Sequence, residues 1–266
     1  MNQEKSDFEW EFNVSNNFAI YPSLKDKHVL ITGGASGIGA EIVRAFVAQG
    51  SRVATLDMDG DAAAALQAEL GADSFQFRQL DLRDIDALKA AVIDLIAQGG
   101  EFDVLVNNAA RDDRHDWSEV TPEYYDDRIN TNLRHMFFAC QAVAPGMIKN
   151  GGGSIINMGS NSWWEAGGGF PVYATAKAAV HGMTRTLARD FGQHMIRVNT
   201  VVPGWVMTER QKELWATPEA LEKQRQRQCL PKLIEPVYLA RMVLFLASDD
   251  SAMCSANNYM VEAGSI

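Results

Sequence analysis

Tyr173 and Lys177 stand four residues apart in a stretch of helical periodicity, so their side chains share a face. A tyrosine near its ordinary pKa of about 10 is a poor base at neutral pH. An ammonium beside it favours the phenolate and lowers that value. Such a pair could remove the proton of an alcohol while hydride leaves the same carbon for a nicotinamide. The spacing alone also occurs on ordinary helices. Ser160, upstream and just past an apolar run, adds a hydroxyl that could hold the substrate oxygen. Asn132 ends a helical stretch in Asn130-Thr131-Asn132-Leu133. A side-chain amide or a kinked backbone there could anchor a water that relays protons from Lys177.

A second cluster lies near the start of the chain. Thr32-Gly33-Gly34-Ala35-Ser36-Gly37-Ile38-Gly39 follows an apolar run and opens a helical pattern. Glycines there let the backbone turn tightly and approach a pyrophosphate, and the helix start offers unpaired N–H groups. The spacing G-x-x-x-G-x-G departs from the usual G-x-G-x-x-G of dinucleotide folds. Asp57 ends the next apolar run, where a carboxylate can accept from ribose hydroxyls and repel a 2′-phosphate. Ser36 brings no cation for such a phosphate, so the cofactor expected is NAD. Asp57 could instead be a turn residue ahead of Met58-Asp59-Gly60-Asp61. Asp81-Leu82 could take the adenine amine, and Asn107-Asn108-Ala109-Ala110 could line the cofactor channel. Each is equally readable as a turn.

These residues need a scaffold, and the rest of the chain supplies one. Short apolar runs at 29–31, 53–56, 75–77, 104–106, 155–156, 196–202 and 259–261 alternate with helical patterns at 38–49, 62–70, 84–97, 122–132, 133–149, 173–191 and 236–247. That alternation predicts an α/β fold, a doubly wound parallel sheet covered by helices on both faces. Ligands then bind beyond the carboxyl ends of the strands. No linker or repeat divides the chain. The reading is one Rossmann-like catalytic domain over 28–266 and an arm over 1–27, whose Phe8, Trp10, Phe12 and Phe18 could pack on this or a neighbouring subunit.

Composition narrows the class. The 266 residues are 47% hydrophobic and carry a net charge of −10. That balance argues against nucleic acid as a partner, and Lys223 to Arg227 reads as a solvated helix face. No apolar run is long enough for a membrane span, and the first residues do not read as a secretory signal. Cys140, Cys229 and Cys254 are too scattered for a metal site, and reduced thiols fit a cytoplasmic location. No metal is expected.

Taken together, the sequence resembles the short-chain dehydrogenase/reductase family. The likeness rests on Thr32 to Gly39, Asp57, Asp81-Leu82, Asn107-Asn108-Ala109, Asn132, Gly153 to Asn157, Ser160, Tyr173-x-x-x-Lys177, Arg197-Val198-Asn199 and Pro203-Gly204-x-Val206-x-Thr208. These motifs follow family order over nearly the whole chain after the arm. The resemblance implies seven parallel strands in the order 3-2-1-4-5-6-7 and a homotetramer. It implies that Ser160 orients substrate, Tyr173 is the acid/base, Lys177 binds the nicotinamide ribose and Asn132 supports the relay. It places Pro203, Gly204, Val206 and Thr208 at the cofactor, with the Val206 backbone against the carboxamide. Departures are Ala110 and Ala256 in place of glycines, and Glu262-Ala263-Gly264 in place of Asp-Gly-Gly.

The substrate is read from segments outside that shared pattern. Arg111-Asp112-Asp113-Arg114-His115, Asn161-Ser162-Trp163-Trp164-Glu165 and Trp205 all fall at strand ends. Polar groups suit the hydroxyls of a polyol, and an indole suits its C–H face. Asp112, Arg114, Asn161, Trp163, Trp164 and Trp205 are therefore expected at the substrate, beside Ser160 and Tyr173. A charged surface loop with locally packed tryptophans is the alternative. Within the family, the chain looks like bacterial aldose 1-dehydrogenases through Tyr21 to Lys25, Asp112 to His115, Asn132 to Met136, Gln141 to Met147 and Leu244 to Asp250. That likeness implies oxidation of the C1 hydroxyl of an aldose to an aldonolactone. D-xylose is favoured, with L-arabinose, D-galactose and L-fucose as alternatives. A ketone or oxo-acyl reductase of the same family is the rival enzyme. A non-catalytic nucleotide sensor is the rival of another class, although such proteins commonly lose the tyrosine or lysine.

Overall fold

Val29 and Ile31 enter one apolar layer while Leu30 enters the other, and the same alternation runs through the neighbouring strands. A strand buried on both faces must be apolar throughout, and this is why the runs read as continuous rather than alternating. The computed structural model describes residues 17–265.

The elements in chain order are β1 (His28–Thr32), α1 (Gly37–Ala48), β2 (Arg52–Asp57), α2 (Gly60–Leu70), β3 (Phe75–Gln79), α3 (Ile85–Gly99), β4 (Val104–Asn107), α4 (Pro122–Ile129), α5 (His135–Lys149), β5 (Gly153–Met158), α6 (Pro171–Phe191), β6 (Ile196–Pro203), α7 (Glu209–Leu214), α8 (Pro218–Gln226), α9 (Pro236–Ala247) and β7 (Asn258–Val261). All seven strands form one parallel sheet in the order β3-β2-β1-β4-β5-β6-β7, as the resemblance implied. One face packs on α1 and α9 through Ile42, Val43, Phe46, Leu239, Val243 and Leu244. The other packs on α3, α5 and α6 through Leu88, Val92, Leu95, Val143, Met147 and Leu187.

The order of the strands decides where a ligand can sit. The connection leaves β3 at one edge and crosses back to β4 beside β1, so the carboxyl ends of β1 and β4 part there. Register fixes the depth: Thr32 lies opposite both Leu56 and Asn107. A buried polar chain then holds the catalytic helix to the sheet. Asn107 donates to Asn157 (2.9 Å), Asn157 donates to Thr184 of α6 (2.9 Å), and Thr184 is paired with Thr200 of β6 (2.8 Å). Each such bond contributes about 1 kcal/mol net, and leaving one half buried alone would cost more.

Two expectations about the elements change. The helices expected at 122–132 and 133–149 are one continuous helical stretch, joined through a π-turn at Asn130–Arg134. The second difference is α7 and α8, which follow β6 and were not foreseen as a helical pair. Their sequences, ERQKEL and PEALEKQRQ, offer hardly any apolar periodicity. Each is instead started by a threonine cap: Thr208 accepts from the Gln211 N–H and Thr217 from the Ala220 N–H.

Of the arm, Phe8, Trp10 and Phe12 lie outside the described residues. Phe18 lies under the Arg241 guanidinium of α9, 4.6 Å from its ring centre, and Leu24 is wholly buried in the core between α1 and β1.

Candidate active site

The glycine loop is shaped by contacts that admit no side chain. Gly33 has φ +67°, and a Cβ there would lie 2.7 Å from the Ala109 backbone. A Cβ on Gly39 would strike the Gly33 carbonyl. Asn108 braces the same turn, donating to the carbonyls of Gly33 (2.7 Å) and Thr32 (3.2 Å). Ser36 precedes α1 without capping it with its side chain. The first N–H groups of α1 therefore face a cleft of ≈ 1230 Å³, lined here by Gly33, Ser36, Gly37, Ile38 and Gly39. This is a cradle for an anionic diphosphate.

The cleft runs from that cradle across the strand ends. Asp57, Asp81, Leu82, Asn108, Ala109, Tyr173, Lys177, Pro203, Gly204, Val206 and Thr208 all line it, whereas Asn107, also expected along the channel, is buried beneath it and bonded to Asn157. Asp57 accepts from the Ala35 N–H (2.9 Å) and from the Asp59 N–H (3.0 Å), which aims its carboxylate across the loop. Asp81 is clasped by Arg83, which holds its carboxyl below the usual range.

Ser160, Tyr173 and Lys177 meet at the floor of the cleft. Lys177 is 1% exposed and donates to the Met158 carbonyl at 2.7 Å, two residues before Ser160. Its nitrogen lies 5.8 Å from the centre of the Tyr173 ring. Burial pushes its ammonium down to about 7, with the Asp112 carboxylate pulling the other way. Burial likewise pushes the Tyr173 phenol well up, and Asp112 adds to that rise. The Ser160 hydroxyl, hydrogen-bonded to the phenol, and the Arg114 guanidinium oppose it. The expectation that Lys177 lowers the phenol is thus corrected: burial is the largest influence and raises it, and the groups that oppose the rise are Ser160 and Arg114 rather than Lys177.

Asn132 stands behind the cleft wall and does not line it. It is wholly buried; its amide donates to the Arg128 carbonyl (2.9 Å) and its oxygen accepts from the Arg111 N–H (2.7 Å). The wide turn frees a carbonyl from the helical ladder, and the Asn132 amide satisfies one. The Asn132 side chain is thus engaged in holding the backbone of the turn.

A family model described as "Enoyl-(Acyl carrier protein) reductase" matches residues 33–265. The chain belongs to the short-chain dehydrogenase/reductase family. It is 50% identical to "D-xylose 1-dehydrogenase" of Caulobacter vibrioides (strain NA1000 / CB15N) over 248 residues, 92% of this chain and 98% of that protein. It is 45% identical to "Probable galactose dehydrogenase GalD" of Rhizobium meliloti (strain 1021) over 247 residues, 92% of this chain and 96% of that one. A solved structure of a blue fluorescent protein from a metagenomic library in complex with NADPH superposes with a TM-score of 0.84 at 36% identity, covering 91% of this chain and 98% of that chain.

Loops outside the shared motifs build the rest of the cleft wall. Asp112, Arg114, Asn161 and Trp205 face the cleft, but most are tied down. Asp112 accepts from Arg210 and, at 2.9 Å, from Gln211; Gln211 in turn accepts from the Trp205 indole (2.7 Å). The Arg114 guanidinium lies 4.1 Å from the Phe170 ring centre and 5.4 Å from that of Trp215. Asn161 donates to Glu165.

Trp163 and Trp164, expected at the substrate, do not line the cleft. The Trp163 indole donates to His181 of α6 (3.0 Å), which turns the ring away, and Trp164 packs edge-on against it, 67% exposed. The local-packing alternative holds for this pair. Residues not expected at the substrate stand in their place: Arg210, Gln211, Trp215, Phe170 and Glu165, together with Gln224 and Arg227, which corrects the reading of Lys223 to Arg227 as a solvated helix face, since Gln224 is buried and both line the cleft. Glu165 stood within a quoted segment, but nothing in the spacing singled it out.

Proposed function

We propose that this chain oxidises the C1 hydroxyl of an aldose to an aldonolactone, with NAD+ as hydride acceptor. The observation that carries this reading is a Ser160–Tyr173 pair at the floor of a cleft whose far wall is polar, with Asp112, Arg114, Asn161 and Glu165 together. A steroid or acyl chain would displace the water around those polar groups without offering them a hydrogen bond. The relatives named as D-xylose 1-dehydrogenase and galactose dehydrogenase support the substrate class. D-xylose is the aldose favoured, with L-arabinose, D-galactose and L-fucose as its competitors.

The residues divide the work. Ser160 holds the anomeric oxygen through its hydroxyl. Tyr173 takes the proton of that oxygen. Lys177, fixed on the Met158 carbonyl, would hold the nicotinamide ribose, and as an ammonium it passes a proton on to the relay only as it takes one up from the tyrosine side. Asn132 keeps the π-turn open for the relay. Bound NAD+ supplies the hydride acceptor and a positive ring. A cation near the phenol would bring down a pKa that burial holds high. The cleft fits such a group: its glycine cradle, the bare start of α1 and the Asp57 carboxylate are all in place.

NAD rather than NADP rests on Asp57. Ser36, Met58 and Asp59 beside it carry no cation, and Arg83 is taken by Asp81 and Asp127. We place the protein in the cytoplasm as a homotetramer, and the half-exposed Phe137 and Ile148 on α5 support association. Equilibrium sedimentation gives the mass that tests this. The activity itself is tested by following nicotinamide reduction with a panel of pentoses and hexoses, each with NAD+ and with NADP+. Turnover with at least one aldose and NAD+ is expected; no reduction with any of them would overturn the reading in favour of a ketone or oxo-acyl reductase.

A further inference from the structure

Glu165 is an acid in an unusual place. It follows Ser160 by five residues, lines the same cleft, and its side chain is only 13% exposed. It is oriented from two sides: Asn161 donates to one oxygen, and the Arg227 guanidinium lies 3.5 Å from the other. Asn161 is itself pinned, its N–H donating to the Pro203 carbonyl at 3.1 Å. A carboxylate held in this way keeps lone pairs free on both oxygens. Two further polar atoms in the same wall, the Ser162 hydroxyl and the Trp215 indole N–H, are buried without a hydrogen-bond partner among the described residues. Buried polar groups are seldom left unpaired, and both residues line the cleft, so a small rotation of either side chain on binding would give it a partner.

We propose that Glu165, with the Ser162 hydroxyl and the Trp215 indole beside it, reads the sugar hydroxyls beyond the reacting carbon and so sets which aldose is accepted. The inference deepens the aldose reading and rests on it. An ionised carboxylate accepts from two neighbouring hydroxyls of one face, and an epimer that turns one of them away leaves the acceptor buried and unpaired. A site built to hydrogen-bond a hydroxyl discriminates far more strongly than one that only excludes bulk. Trp215 ends α7 and Arg227 follows α8, so both helices take part in the recognition.

The test pairs changes in the enzyme with changes in the sugar. Wild type and Glu165→Gln are compared on the best aldose and on its 2-, 3- and 4-deoxy analogues. NADH binding, read by fluorescence, and thermal stability show that the variant is folded. Glu165→Gln is expected to lower kcat/KM for the aldose by about 10- to 100-fold, through KM more than kcat, as loss of a hydrogen bond to a charged group does. With a deoxy analogue that lacks one of the two held hydroxyls, the gap between variant and wild type should shrink several-fold, because one of the bonds that Glu165 makes is already gone. A loss of the same size on the aldose and on every analogue would make Glu165 merely a brace and overturn the proposal, as would no loss at all. If the wild type itself oxidises no aldose, the aldose reading fails first; a failure confined to the variant leaves that reading standing.

Discussion

The Lys177 ammonium donates to the Met158 carbonyl at 2.7 Å, so the strand that delivers Ser160 also fixes the lysine. One end of β5 therefore positions both Ser160, proposed to hold the substrate oxygen, and Lys177, proposed to serve the proton relay. Tyr173 lies between them on the helix that the buried Asn157–Thr184 bond ties to the same strand. The three side chains come from two elements but share one register, which a single strand slip would destroy.

Tyr173→Phe should retain NADH binding and lose about 10²- to 10⁴-fold in kcat, the usual worth of a positioned acid/base. Fluorescence titration and steady-state rates check the two halves separately. Turnover close to wild type would remove Tyr173 from its role.

The lysine makes a prediction about stability. Its folded value is about 7 against an ordinary 10.5. Below pH 7 both folded and unfolded chains carry the proton, and the cost of burying the charge is present in full. Between 7 and 10.5 the folded chain has released it and the unfolded chain has not, so stability rises with pH by up to about 1.4 kcal/mol per unit. Lys177→Met removes that term. Its stability relative to wild type should thus be most favourable at pH 6 and decline steadily to pH 9, measured by chemical denaturation without added cofactor. A difference independent of pH would mean that the lysine is not desolvated as described.

Much of this was legible beforehand, and the divisions have physical causes. The central strands are buried on both faces, so Val29, Leu30 and Ile31 announce themselves by hydrophobicity alone. The glycine loop announces itself because Gly33 and Gly39 have no steric alternative. The part that α8 plays at the cleft hid because the residues it turns there, Lys223 and Gln224, are polar and read as a solvated face. The partners of Asp112 hid because Arg210 and Gln211 lie about a hundred residues away in sequence. Trp163 was misplaced because its pull toward His181 depends on a helix face that no local pattern reveals. The sign of the Tyr173 shift was misjudged because a charge four residues away is visible in the sequence and depth of burial is not.

Asp57 carries the cofactor preference. Asp57→Asn keeps an acceptor for the Ala35 N–H but removes the charge that would repel a 2′-phosphate. The ratio of kcat/KM for NAD+ over NADP+ should fall by about 10-fold or more, the effect of about 1.4 kcal/mol. A parent enzyme that already prefers NADP+ would refute the assignment.

Two of the departures from family glycines sit where glycine would be favoured. Ala256 has φ +63° and Ala263 has φ +59°, both in the left-handed region. An alanine there costs about 1–2 kcal/mol relative to glycine, partly offset by the greater freedom of glycine in the unfolded chain. Ala256→Gly should stabilise the protein by about 0.5–1 kcal/mol without changing kcat. A lower midpoint of unfolding would show that the alanine makes contacts that outweigh its backbone strain.

The account stands or falls on the bond that is broken, and a substrate labelled with deuterium at C1 reports on it directly. With C1-deuterated D-xylose, or whichever aldose the panel selects, and NAD+, the deuterium should appear on the reduced nicotinamide. The sugar product should be the lactone without the label. Reduction that leaves deuterium in the sugar would contradict hydride transfer from the anomeric carbon.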